Sequence, residues 1–155
     1  SLTNSQFAVD PDFRSEQEAS DKFIDEVVLN THFDADHQLL LGHVQCRVWM
    51  NRASDKTTEE RPSIEEALAQ SLFSVEAEYF VVFQLSGQHT EDSIKAFFER
   101  TGSFAAWPYF RALVSSFAAA AGVSVPVLPI KRVLVPFKAE GGYASGKELA
   151  VTNAN

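Results

Sequence analysis

The sequence predicts an α+β fold, a four-stranded antiparallel sheet followed by two helices packed on one face. Three observations carry this expectation. From Phe73 to Leu85, Phe73, Val75, Ala77, Tyr79, Val81, Phe83 and Leu85 alternate with Ser74, Glu76, Glu78, Phe80, Val82 and Gln84, a period of two. A second alternating segment, Leu40 to Met50, lies upstream of it. Helical signals dominate only after these strands, so the elements are segregated, as in an antiparallel sheet with helices on one side.

Leu2 to Val9 is a short first strand that ends at the turn signal Asp10-Pro11-Asp12. Phe23, Val27, Leu29, Thr31 and Phe33 fall at even spacing, which predicts a second strand with these side chains on one face. Asp34-Ala35-Asp36 supplies the turn. In the third strand Leu40, Val44, Cys46, Val48 and Met50 form a dry side, and Leu41, His43, Gln45, Arg47 and Trp49 a mixed one. Lys56 to Glu66 reads as a charged insertion, in which Ser63 and Glu66 have capping-box spacing for a short helix through about Gln70. Phe73 to Leu85 is the fourth strand.

Thr90 can cap the next helix, whose first turn carries Glu91 and Asp92, favourable against the N-terminal dipole. Ile94, Phe97 and Phe98 make its apolar stripe, and Gly102 predicts its interruption. Pro108 suits a first helical position and Gly122 a C′ position, so a second helix is expected over 108–121. Trp107, Phe110, Leu113, Val114 and Phe117 spread over more than half of its circumference, which requires cover on more than one side. Pro126 and Pro129 argue against a central strand beyond it, leaving 130–137 at most an edge. The domain is expected to span 1–138, with 139–155, rich in Gly, Ser and Asn, as a mobile tail.

Composition excludes several classes of function. Thirteen Lys and Arg against 21 Asp and Glu give a net charge of −8, which repels phosphate backbones and argues against nucleic acid as a partner. Cys46 is the single cysteine, so neither an internal disulfide nor a multi-cysteine zinc site is available, as suits a reducing compartment. With no run of 18 apolar residues and no basic region leading into an apolar one, neither a membrane span nor a signal peptide is expected, and the reading is cytoplasmic. The start at Ser1, already in a strand-like pattern, points to a trimmed or processed end. Phe is abundant, 13 of 155 residues, which supplies rigid aromatic surface.

Catalytic constellations are thin, and no enzymatic activity or cofactor is expected. His32 and His43, near His37, Asp34 and Asp36, are the one candidate metal or small-ligand site, facing each other across a hairpin. Cys46 falls on the dry side of its strand, which suits an inert thiol better than a nucleophile. Gly141, Gly142 and Gly146 have no strand before them or helix after them, so they make no phosphate loop. The pairs Glu59-Glu60, Glu65-Glu66 and Glu76 with Glu78 read as solvated faces.

The segment 101–111, TGSFAAWPYFR, resembles the signature of SecB export chaperones and of their relatives in toxin–antitoxin–chaperone systems: an aromatic, Pro-Tyr and a basic residue at the start of a long helix. Leu128-Pro129 is similar to the family's Leu-Pro after the following loop, and the order of elements matches from about Leu2 to Phe137. The resemblance implies an ATP-independent chaperone, usually a dimer of dimers, that holds non-native polypeptide in apolar grooves. Phe80, Val82, Trp107, Tyr109, Phe110 and Leu128 are the residues expected to meet clients, with neighbouring subunits as the alternative cover. Export members also dock on the SecA motor through acidic side chains of the first and fourth strands. Glu76 matches the fourth-strand acid, with Glu78 beside it, but Asn4 and Ala8 stand at the first-strand positions. That departure favours a dedicated client, such as an antitoxin, over SecA.

Overall fold

A computed structural model describes residues 1–15, 19, 21–52 and 63–130. The expected mobile tail and most of the charged insertion lie outside the described residues. The elements are β1 (Leu2–Val9), β2 (Asp21–Asp34), β3 (Leu39–Asn51), α1 (Ile64–Ala69), β4 (Phe73–Gln84) and α2 (Glu91–Ala121). The four strands form one antiparallel sheet in the order β1-β4-β3-β2. The α+β class is as the sequence predicts.

Alternation decides which side of the sheet is dry. Leu40, Val44, Cys46, Val48 and Met50 of β3 and Phe73, Val75, Ala77 and Tyr79 of β4 are buried, and their register partners lie on the same side. Burial pushes the phenol of Tyr79 well above its ordinary range, so it stays neutral beneath the helix. α2 packs against β3, β2 and β4. Ile94, Phe98, Gly102, Ala106, Phe110, Val114 and Ala118 recur every four residues along it and are all buried. Near its far end Phe117 stacks on Phe7 of β1, with centroids 4.9 Å apart and planes at 12°.

Two sequence expectations need correction. The two helical stretches are one helix of 31 residues, with Gly102 and Pro108 inside it. Gly102 does not interrupt the helix, because its missing side chain makes room for Phe98: a Cβ there would sit 2.7 Å from Phe98 Cε1. Pro108 withholds the N–H that the Phe104 carbonyl would accept, yet Ala106, Trp107 and Phe110 around it are buried, and that packing outweighs the lost bond. The start and stop are as expected: Thr90 caps through a reciprocal pair with Ser93, and Gly122 ends the helix at φ 67°.

The second correction concerns β2. Its register against β3 shifts between Val28 and Asn30, a bulge that exchanges the faces of the strand. Phe23 and Val27 stand opposite Trp49 and Gln45 on the mixed side, whereas Phe33 stands opposite Leu40 on the dry side and packs on the core. Even spacing through the bulge therefore does not keep Phe23, Val27 and Phe33 on one face. The turn that follows is fixed as Asp34 suggests, its Oδ1 accepting the backbone N–H groups of Asp36 and His37, each at 3.1 Å. α1 has the expected capping box between Ser63 and Glu66.

Candidate functional site

Two surfaces hold the residues singled out by sequence. The first is the mixed side of the sheet, opposite α2. Register places Glu76, Glu78, Phe80 and Val82 of β4 beside Arg47, Gln45, His43 and Leu41 of β3. Asn4 lies opposite Glu78 on β1, and Ala8 opposite Ser74. Arg47 reaches the other way, its Nε donating to Asp25 Oδ2 of β2 at 3.0 Å. His43 Nδ1 pairs with Glu78 Oε1, and the His43 ring packs on Phe80 with centroids 5.1 Å apart. Asn4, Gln6, Gln45, Glu76 and Glu78 line a shallow polar depression across β1, β4 and β3. Apolar surface flanks it, with Val82 48% exposed and Phe80 partly exposed.

The expected histidine site does not assemble. His32 is paired in register with Leu41 and His43 with Asn30, and His43 is engaged by Glu78. His37 instead bonds Asp34, its Nδ1 2.8 Å from Oδ2, and this contact holds the Asp34 carboxyl below its ordinary value. Among the described residues no group of three metal-ligating side chains converges.

The second surface is the outward side of α2 with the segment that follows it. From Thr101 to Ala121 the only charged residue is Arg111, and its Nε donates to the Leu128 carbonyl at 2.9 Å. Trp107 Nε1 donates to the Pro129 carbonyl at 2.7 Å. These two bonds tie the exit segment back onto the helix and bury Leu128 between flanking exposed side chains. Trp107, Phe110 and Leu128 are therefore core residues of the chain rather than surface ones. Tyr109 is 70% exposed, Val127 83% and Ile130 73%. The outward hydroxyls are satisfied locally: Ser115 and Ser116 donate to the carbonyls four residues before them.

Sequence reasoning missed Phe104, Val127 and Ile130 as exposed apolar side chains, and it assigned Phe97 to the packed stripe. Phe97 and Phe104 are both more than a third exposed. They are seven residues apart, two turns of one helix, a relation hidden by dividing that helix at Gly102. Phe97 also meets Phe83 edge-on, with centroids 5.2 Å apart. Val127 and Ile130 have no periodic neighbours to reveal them.

The chain thus presents a mixed sheet face and, from Thr101 onward, a helix face whose one charged residue is Arg111, on a small α+β fold. No helix among the described residues is long and apolar enough to cross a membrane. No protein-family model matches the sequence, and no curated protein matches it. Among solved structures it is similar to the SecB-like chaperone Rv1957 of Mycobacterium tuberculosis in complex with a ChAD peptide from the HigA1 antitoxin. The TM-score is 0.59, at 18% identity over 88% of each chain. The fold is SecB-like.

Proposed function

We propose that this protein is an ATP-independent holdase of SecB type that binds non-native polypeptide through exposed apolar side chains. The observation that carries the reading is the combination of a SecB-like fold, whose solved neighbour holds an antitoxin peptide, with apolar groups left exposed on both faces of this subunit. Apolar contacts are poorly directional and so tolerate many sequences, while a net charge of −8 keeps the chaperone soluble and favours clients with basic segments. It acts without a bound cofactor.

Within this reading the client contacts are Val82 and Phe80 on the sheet and Tyr109, Phe104, Val127 and Ile130 on the helix side, with Trp107, Phe110 and Leu128 buried beneath the helix-side group. Glu76 and Glu78, on the same sheet face as Phe80 and Val82, form a polar patch for a protein partner. Asn4 and Ala8 leave that face short of the acids that the resemblance requires for SecA, so the reading favours a dedicated client of the antitoxin kind in the cytoplasm. From Thr101 onward the outward side of α2, charged only at Arg111, also suits burial against a second copy, and a dimer of dimers is the proposed assembly.

The test is suppression of aggregation of a chemically denatured protein on dilution, without nucleotide, alongside native mass. Suppression with a mass near four chains supports the proposal. Full aggregation at several-fold molar excess of the protein contradicts it.

A further inference from the structure

We draw no further inference here: the strongest candidate, the exposed apolar run Phe23, Ile24, Val27 and Leu29 along edge strand β2, carries nothing because nothing in the structure shows what covers it.

Discussion

The ring of Phe98 on α2 lies directly over Gly42 of β3, so close that a Cβ on Gly42 would collide with Phe98 Cζ and come within 2.6 Å of the Asn30 carbonyl. The helix is docked on the sheet at a point where the sheet offers no side chain. Phe83 closes the same ring edge-on, with centroids 5.8 Å apart, so Phe98 has little room to turn away. Gly42→Ala is expected to destabilise the fold by about 1–3 kcal/mol, the usual cost of overpacking a tight core. Thermal unfolding checks this, with a melting temperature several degrees lower; an unchanged value would show that the helix can lift off the sheet at no cost.

Gly102→Ala tests the same ring from the helix side. Alanine gains about 1 kcal/mol in helix propensity, but its Cβ would press Phe98 Cε1 at 2.7 Å. The clash is expected to win in the native background and lose when Phe98 is shortened. Gly102→Ala should therefore lower the melting temperature alone and raise it in Phe98→Leu. Equal effects in both backgrounds would separate Gly102 from Phe98.

Pro108 is exposed, inside a helix that continues on both sides of it. Pro108→Ala restores a helical N–H for the Phe104 carbonyl and removes the ring clash, worth up to about 3 kcal/mol. Greater freedom of the unfolded chain returns roughly 1 kcal/mol of that. A higher melting temperature is the expected result. A lower one would mean that the shape imposed by proline aligns Trp107 and Phe110 with the core.

These positions show why the chain could be read only in part. The sheet is legible because β3 and β4 alternate over most of their 13 and 12 residues, the exception being Trp49 and Ser74, paired on the mixed side and buried as well. β2 was legible as a strand but not in its facing, since one bulged residue inverts every position after it and leaves no mark in composition. Gly102 and Pro108 are strong local breakers, and what overrides them is tertiary: Phe98, held between Gly42 and Phe83, fills the space at Gly102, and the burial of Ala106, Trp107 and Phe110 carries the helix past Pro108. For the candidate site the aromatic signature was visible, but its inside and outside were not. Trp107 and Phe110 point into the core and Tyr109 away from it, a distinction set by the exit segment through the bonds from Trp107 and Arg111.

Trp107→Phe tests that exit segment. It keeps most of the buried ring and deletes the donor to the Pro129 carbonyl, at an expected cost of about 0.5–1.5 kcal/mol. Hydrogen exchange checks it: amides of 123–130 should exchange faster, with the sheet unaffected. Uniform acceleration across the sheet would instead assign Trp107 a global packing role alone.

Asp34 offers a pH test of the β2–β3 turn. Its hydrogen bond from His37 lowers its carboxyl below the ordinary 3.8, so the charged form is favoured in the folded state. Any contribution to stability is present above 3.8 and is lost as pH falls through the lowered value. In an NMR titration the Asp34 carboxyl should have its midpoint below 3.8, moving upward in His37→Ala. A midpoint unchanged by that substitution would remove His37 as the cause.

The central claim is that the exposed apolar side chains bind non-native chains. Tyr109→Asp and Val82→Asp change exposed residues and should leave secondary structure and melting temperature near those of the parent. The deciding measurement is aggregation of a denatured protein diluted into several-fold excess of parent or double variant, without nucleotide, with native mass recorded for both. The account predicts suppression by the parent and its loss in a folded double variant of the same mass. Suppression by the double variant equal to that of the parent, or none by the parent itself, would contradict it.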